Sequence, residues 1–259
     1  IFYKKSKLKI CKFINKFDIL HCHSIWNYKI ILLAQISNSL GLKVIFSSHG
    51  YLDDWSLRRS IIKKKIFLFL ILNKLLLNAK LFFSNIGEYN ESKKKIKFGD
   101  VFVIPNGIDT SLYKKLVQRQ KVTIKKKIIY FGRIHKKKGI EIFLEAIKEM
   151  PDNFFENYFF EITGPGEKNY VSKIREMIKK FKIEKFVSIE KPKSSKEKIN
   201  YLQNADIFVL PSYEEGDSIA LKEAMSASNM VIISEQCRLP IVEKENAGFI
   251  IKTSKESIK

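Results

Sequence analysis

Cysteine is scarce in this chain of 259 residues, and the spacing of its three cysteines suggests no metal site. The odd number of cysteines (Cys11, Cys22 and Cys237) favours a reducing compartment over a disulfide-bonded secreted protein. Long apolar runs are missing as well. The longest spans residues 66–72, whereas a membrane-spanning helix needs about 20 residues. The chain begins at Ile1 in a charged segment that lacks the features of a signal peptide.

Acidic residues are also few for a chain with this many basic ones. Lys and Arg number 48 against 27 Asp and Glu, which gives a formal charge of +21. Nucleic acid, a membrane surface and a phosphorylated ligand are the partners that such a charge suggests. A nucleic-acid-binding protein would interleave basic residues with exposed aromatics on one face, but here the lysines are spread over both halves of the chain. We interpret most of the charge as biased composition. Lysines 63–65, which precede the longest apolar run, leave open the alternative of a helix that lies at a membrane surface with these lysines on lipid phosphates. The hydrophobic content of 45% excludes a disordered chain.

Short apolar segments alternate with helical patterns, which is typical of parallel sheets covered on both faces. In the first half, the patterns predict strands over 18–23, 43–47, 80–84 and 101–104, and helices over 28–40, 56–78 and 88–97. In the second half they predict strands over 128–131, 159–163, 187–189, 207–210, 231–234 and 248–251, and helices over 139–150, 171–180, 196–203 and 218–227. The stretch 109–127 between the two series is polar, basic and poorly periodic.

These patterns predict an α/β protein of two Rossmann-like, doubly wound domains. We place the first over residues 1–108, a linker over 109–127 and the second domain over 128–259. Two such domains imply a cleft, and ligands of open α/β sheets bind beyond the carboxyl ends of the strands. Functional residues are therefore expected directly after the strands.

The turn after strand 128–131 carries both glycine and positive charge. Gly132 and Gly139 bracket it, and Arg133 and Lys138 lie within it. Backbone N–H groups and cationic side chains in such a turn suit an anion, most simply a diphosphate. A second tight turn, with Gly164, follows strand 159–163.

The segment after strand 207–210 carries two carboxylates eight positions apart, Glu215 and Glu223. Ser218 is a candidate N-cap of the helix that follows, and Gly216 lets the backbone approach a ligand closely. The positive end of the helix favours phosphate, and carboxylates accept hydrogen bonds from sugar hydroxyls. Together these features predict a nucleotide-sugar site.

The chain resembles the retaining glycosyltransferases of family 4, which have the GT-B fold. The resemblance rests on four segments: Pro-Ser-x-x-Glu-Gly…Glu-Ala-Met over 211–225, Gly-Arg-x4-Lys-Gly over 132–139, the hinge-like 104–109, and Asn-Ala-Asp-Ile-Phe-Val-Leu-Pro-Ser over 204–212. The segments 18–23 and 47–52 look like strands of sugar transferases that build surface polysaccharides, such as capsule or lipopolysaccharide.

The resemblance implies roles for individual residues. Arg133 and Lys138 would hold the donor diphosphate and stabilise the leaving group, Glu223 would bind the ribose and Glu215 the transferred sugar. His49 would lie near that sugar, while His21 and His23 are expected to pack at the end of their strand. The implied catalytic residues are Arg133, Lys138, Glu215 and His49. The implied donor-binding residues are Gly132, Arg133, Lys138, Gly164, Glu215, Gly216, Asp217, Ser218, Ile219 and Glu223. No metal or other cofactor is expected.

This chain departs from the family pattern in three places. Asp217 puts a negative charge near the expected phosphate, so it either caps the helix or marks a different donor. The segment 235–240 stands where the family commonly has a Gly-Gly pair. The first strand with its glycine-rich loop and the last helices are missing, so the chain looks truncated at both ends.

The predicted function is transfer of a sugar, with retention, from a UDP- or GDP-sugar to a saccharide or lipid-linked saccharide acceptor. It would take place in the cytoplasm, and docking on the inner face of the cell membrane is left open. A non-catalytic relative that binds a donor or a membrane remains an alternative, and a nucleic-acid-binding protein ranks below it. A dehydrogenase ranks low because no GxGxxG motif with a following acidic residue occurs.

Overall fold

The computed structural model describes residues 10–50, 52, 67, 71–113 and 125–259. The chain divides into two compact units, Ile1–Asn106 and Gly107–Lys259. Each unit contains its own parallel sheet.

The first unit is a four-stranded sheet with helices between its strands. Its elements are β1 (Ile19–Cys22), α1 (Tyr28–Ser39), β2 (Lys43–Ser47), α2 (Asn73–Leu77), β3 (Lys80–Phe83), α3 (Ile86–Ser92) and β4 (Val101–Val103). The strands are parallel and lie in chain order, β1-β2-β3-β4. Phe46 and Phe83, from β2 and β3, are fully buried in its core.

The second unit is a six-stranded sheet covered by helices. Its strands are β5 (Lys126–Phe131), β6 (Tyr158–Thr163), β7 (Val187–Glu190), β8 (Ile207–Leu210), β9 (Met230–Ser234) and β10 (Gly248–Ile251). Its helices are α4 (Ile140–Lys148), α5 (Phe154–Asn157), α6 (Lys168–Phe181), α7 (Ser195–Gln203), α8 (Ile219–Ser226), α9 (Ile241–Lys244) and α10 (Lys255–Ile258). Strand β8 is buried at every position, as a central parallel strand requires.

The strand order of the second sheet, β10-β9-β8-β5-β6-β7, fixes where a ligand can bind. The chain winds outward from β5 through β6 to β7, then returns to β8 on the other side of β5 and winds the opposite way. All these strands pair in parallel. The order reverses between β5 and β8, and the crevice outside the carboxyl ends of strands at such a point is where open α/β sheets bind ligands.

The structure confirms the predicted α/β fold and every predicted strand to within two residues at either end. Helix 88–97 was placed too far along the chain, because Asn85 caps α3 by accepting from Glu88 N at 2.8 Å. Most of helix 56–78, lysines 63–65 and residues 114–124 of the expected linker lie outside the described residues. None of the helices within the described ranges is long and apolar enough to cross a membrane.

The two ends of the expected linker, 109–127, belong to regular secondary structure. Residues Thr110–Tyr113 form a 3-10 helix, and Tyr113 is buried in the core of the second unit. At the other end, β5 begins at Lys126. The polar composition of this stretch gave no indication that Tyr113 is buried in the core.

Candidate active site

The turn after β5 is built around a glycine that no other residue could replace without strain. Lys136–Lys138 form a 3-10 helix whose first N–H groups are capped by His135, with Nδ1 accepting from Lys137 N at 3.1 Å. Gly139 then takes a left-handed conformation with φ of 69°. A Cβ at this position would lie 2.0 Å from the Pro211 carbonyl oxygen. The basic turn therefore lies directly against the residues that follow β8.

Hydrogen bonds join this turn to the segment after β8. The Lys137 carbonyl accepts from Ser212 Oγ at 2.9 Å and from Tyr213 N at 2.8 Å. The Ser212 carbonyl in turn accepts from Ser234 Oγ, at the end of β9, at 2.6 Å. Three neighbouring strand ends thus hold one another in a fixed arrangement at the point where the strand order reverses.

The glycine turn after β6 packs against the turn after β5, on the side away from β8. A Cβ on Gly164 would lie 1.8 Å from the carbonyl oxygen of Gly132. Gly132 N donates to the Thr163 carbonyl at 3.0 Å, and Ile134 N donates to Pro165 O at 2.8 Å. The structure therefore brings together the two glycine turns that the sequence singled out.

Lys138 and Glu215, predicted separately from two motifs, form an ion pair. Lys138 Nζ lies 2.5 Å from Glu215 Oε1, and the two side chains are 21% and 7% exposed. The backbone N–H of Glu215 donates to Gln236 O at 3.3 Å, which holds this segment against the loop after β9. A cation and a carboxylate are thereby presented together at the carboxyl ends of β5 and β8.

Glu223, one turn inside α8, is buried and held by two residues that the sequence analysis did not assign. Lys198 of α7 donates to Glu223 Oε1 at 2.5 Å. The phenol of Tyr113 lies close to the same carboxylate, and the pKa of Tyr113 is raised, first by burial and then by the Glu223 charge. The predicted ribose-binding carboxylate therefore has a fixed orientation.

Asp217 lies at the start of α8 with its charge neutralised. Lys222, one turn into the helix, lies 2.6 Å from the Asp217 carboxylate, and the two side chains are 18% and 8% exposed. The helix cap is Ser218, whose Oγ accepts from Leu221 N at 3.3 Å, as predicted. Asp217 is therefore an ion-pair partner and leaves the capping role to Ser218.

The segment 235–240, which stands in place of the family's Gly-Gly pair, contains a residue in a backbone conformation that glycine favours. Arg238 takes a left-handed conformation with φ of 54°, which normally favours glycine. Its guanidinium lies 2.6 Å from Glu214 Oε1. Cys237, next to it, is buried. Burial, followed by the Glu215 charge, raises its pKa to about 12, so the thiol is protonated and not a nucleophile.

Four carboxylates between residues 214 and 223 are thus each paired with a cation from a different part of the second unit. The pairs are Glu214–Arg238, Glu215–Lys138, Asp217–Lys222 and Glu223–Lys198. Arg133, on the turn after β5, adds a further positive charge, and its side chain is exposed. Ile219, the first residue of α8, is 48% exposed, and Gly216 is half-buried. The site can therefore accept an anion next to fixed carboxylates.

His49 lies in the first unit, beyond the end of β2. Its Nε2 lies 2.9 Å from Nδ1 of His23, which follows β1. His21, within β1, lies with its Nε2 2.8 Å from Ser47 Oγ. The expectation that His21 and His23 only pack at a strand end missed the His23–His49 contact, although the adjacency of two parallel strand ends could have predicted it. Within the described ranges, no group of three or more His, Cys, Asp or Glu side chains could hold a metal ion.

Comparison with known proteins shows what this architecture is. A galactosyltransferase of Escherichia coli, named for UDP-Gal and α-D-GlcNAc-diphosphoundecaprenol, is 28% identical over 96% of this chain and 66% of its own length. An amylovoran biosynthesis glycosyltransferase of Erwinia amylovora is 29% identical over 48% of this chain and 31% of its own length. The chain therefore spans from about a third to two thirds of the length of these relatives.

The solved structures agree on the fold. The Anabaena protein HepE, crystallised with UDP and glucose, matches 97% of this chain and 69% of its own with a TM-score of 0.79 and 17% identity. That likeness confirms the predicted GT-B fold. Residues 114–259, more than half of the chain, match the family described as Glycosyl transferases group 1. With the two glycine turns and the paired glutamates gathered at the switch point of a Rossmann-like sheet, the chain belongs to this family of glycosyltransferases.

Proposed function

We propose that this protein transfers a sugar, with retention of configuration, from a nucleoside-diphosphate donor to a saccharide or lipid-linked saccharide acceptor, as a member of family 4. The observation that carries the proposal is the Lys138–Glu215 pair at the switch point. The pair joins a cation of the kind that binds diphosphates to a carboxylate able to accept hydrogen bonds from sugar hydroxyls. UDP is the bound nucleotide named for HepE, which supports a UDP donor, with GDP as the alternative.

The roles of the side chains follow from their chemistry. Arg133 and Lys138 neutralise the donor diphosphate together with the N-terminus of α8. Glu223 accepts from the ribose hydroxyls and Glu215 from those of the transferred sugar. The backbone at Gly132, Gly164, Gly216, Asp217 and Ser218, with Ile219, forms the wall around the donor. For His49 we propose a contact with the transferred sugar.

The reaction breaks the bond between the anomeric carbon and the β-phosphate oxygen. The acceptor oxygen forms its bond to that carbon on the same face, and its proton passes to the departing diphosphate. Preorganised cations stabilise the charge that develops on the leaving group, so we propose a reaction that needs no metal ion. Cys237 is protonated and buried, which supports a mechanism without that residue as nucleophile.

The acceptor and the location are proposed from the relatives. One relative is named for α-D-GlcNAc-diphosphoundecaprenol and another for amylovoran biosynthesis. We therefore propose a role in surface polysaccharide biosynthesis, in the cytoplasm at the inner face of the cell membrane. Within the charge of +21, lysines such as those at 63–65 would favour an anionic membrane there.

The test is donor binding and hydrolysis by the full gene product with a panel of UDP- and GDP-sugars, in the presence and absence of EDTA. One donor should bind, and Lys138→Ala and Glu223→Ala should weaken its binding at least about 10-fold. Lys173→Ala is the matched control, because Lys173 pairs with Glu141 on the surface. The proposal fails if no nucleotide sugar binds or if both site variants bind as well as the wild type.

A further inference from the structure

Three of the four histidines of the chain lie together at the carboxyl edge of the first sheet. His21 belongs to β1, His23 follows it, and His49 follows β2, the neighbouring parallel strand. The rings of His21 and His23 lie 4.2 Å apart, and those of His23 and His49 lie 5.2 Å apart with 17° between their planes. The cluster therefore has His23 at its centre.

The contact between His23 and His49 uses one nitrogen of each ring. With Nδ1 of His23 2.9 Å from Nε2 of His49, one nitrogen donates a proton and the other accepts it. Two doubly protonated imidazoles would place two donors against each other. The hydrogen bond therefore requires at least one neutral ring, and it occupies Nε2 of His49.

The backbone holds His49 in an uncommon conformation. Its φ of 47° is left-handed, which costs free energy for a residue other than glycine and is retained mainly at functional sites. Ser48, just before it, is fixed to β3, because its N and Oγ both donate to the Phe82 carbonyl at 3.0 and 3.3 Å. The fold thus turns the His49 ring onto His23.

We propose that His23 is a positioning residue for His49. Its hydrogen bond to Nε2 fixes the orientation and the tautomer of the His49 ring and leaves Nδ1 as the nitrogen that meets a sugar hydroxyl. This inference rests on the proposed function, in which His49 contacts the sugar. His21 holds its own place through Ser47 and closes the other face of His23.

The charges around the cluster agree with a neutral His49. Burial, and then the neighbouring His23, lower the pKa of His49, and burial with both other imidazoles lowers that of His21. Among the described residues of this unit, the titratable group that acts on the pKa of His49 is His23. A neutral ring can donate or accept a single hydrogen bond in a defined direction, which suits recognition of a hydroxyl.

Nuclear magnetic resonance of the full chain labelled with ¹⁵N-histidine tests the hydrogen bond without any assay of activity. Four imidazoles give few signals, and His135, which caps a turn of the second unit, is an internal reference. In the wild type we expect one tautomer for His49. In His23→Ala we expect a mixed tautomer and a raised His49 pKa, whereas His21→Ala should leave the tautomer unchanged. Identical His49 nitrogen shifts in wild type and His23→Ala would overturn the proposal.

Sugar transfer then tests the positioning role. His23→Ala should lower kcat about 10-fold or more while donor affinity stays unchanged. His23→Asn should restore most of it, because the Asn amide places a donor and an acceptor where the near side of the imidazole ring lies. A loss that Asn does not rescue, or one that appears equally in donor affinity, would show a structural role and overturn the proposal. A wild type that binds no nucleotide sugar refutes the proposed function instead, while the imidazole spectra still decide the hydrogen bond.

Discussion

Lys138 and Glu215 lie 2.5 Å apart although 77 positions separate them in the chain. They approach from the carboxyl ends of β5 and β8, two strands that pair directly. The proposed ligand of Lys138, a diphosphate, therefore meets a cation that already carries a hydrogen bond to a carboxylate. Such a bridge makes the orientation of Glu215 depend on Lys138, the residue proposed to bind the phosphate.

Replacing Lys138 by Met should lower both stability and donor affinity. Glu215 would keep its buried charge without its partner, which costs about 1–3 kcal/mol when discounted for the partial exposure of Lys138. Urea unfolding measures the first effect, and calorimetric titration with a nucleoside diphosphate measures the second.

The matched variants for this pair are Glu215→Gln and the double variant Lys138→Met with Glu215→Gln. The double variant should regain most of the lost stability, since no unpaired charge is left, and should still bind nucleoside diphosphate poorly. If the double variant loses as much stability as the two single variants together, the ion pair contributes little.

Replacing Lys222 by Met should weaken the binding of a nucleoside diphosphate about 10-fold. The change leaves the Asp217 carboxylate, which is 8% exposed, without the cation that neutralises it beside the expected phosphate. Adding Asp217→Asn should restore affinity, and raising the salt concentration should reduce the defect of the single variant. Equal affinities in wild type and Lys222→Met would place the phosphate away from Asp217.

The strands and the glycine turns could be predicted because their signals are local. A run such as 207–210, apolar at every position, is typical of a central parallel strand, and Gly139 lies where only glycine fits. Glu215 and Glu223 were singled out from their spacing of eight positions after strand 207–210 and from the resemblance of this segment to the family's motif. The reversal of strand order between β5 and β8 then follows from the doubly wound topology.

The partners of those residues could not be predicted, because side-chain contacts across a fold have no local pattern. Lys198, Lys222 and Arg238 are three among 48 basic residues, and only the packing of α7, α8 and the loop after β9 selects them. The burial of Tyr113 could not be predicted for the same reason, since the residue lies in a polar stretch of the sequence. One aromatic residue without periodicity predicts no element of secondary structure.

The first unit should lose stability as the pH falls through the ordinary range of histidine. The pKa values of His21 and His49 are lowered from 6.5 in the folded chain. Below that pH the unfolded chain binds more protons than the folded one, so the free energy of unfolding decreases as pH falls and is constant above it. Both tryptophans of the sequence fall within residues 1–106, the range of the first unit, so tryptophan fluorescence during urea unfolding reports this unit.

The control for this pH dependence is the double variant His21→Asn with His49→Asn. Its stability should vary less between about pH 8 and 5.5, above the range in which carboxyl groups titrate. An equal slope in wild type and double variant would assign the effect to other groups.

Replacing Gly139 by Ala should destabilise the second unit by at least about 1–3 kcal/mol. The added Cβ would lie 2.0 Å from the Pro211 carbonyl oxygen, and the φ of 69° is unfavourable for alanine. Gly107→Ala is the control, because a Cβ there meets nothing within 4 Å. Thermal unfolding of the two variants should differ, and a similar midpoint in both would mean that the turn after β5 can move away from β8.

Replacing Tyr113 by Phe should weaken the recognition of ribose while keeping the core intact. The change removes the hydroxyl beside the Glu223 carboxylate and retains the buried ring, so stability should fall by about 1 kcal/mol. If Glu223 accepts from ribose, the ratio of affinities for a nucleoside diphosphate and its 2′,3′-dideoxy counterpart should fall about 3–10-fold. Tyr170→Phe is the matched control, since that phenol is similarly buried in the same unit and its hydroxyl has no hydrogen-bond partner among the described residues. A ratio that stays constant in both variants would make Tyr113 a core residue alone, whereas a fall confined to Tyr113→Phe would connect the 3-10 helix at residues 110–113 to the nucleotide through one carboxylate.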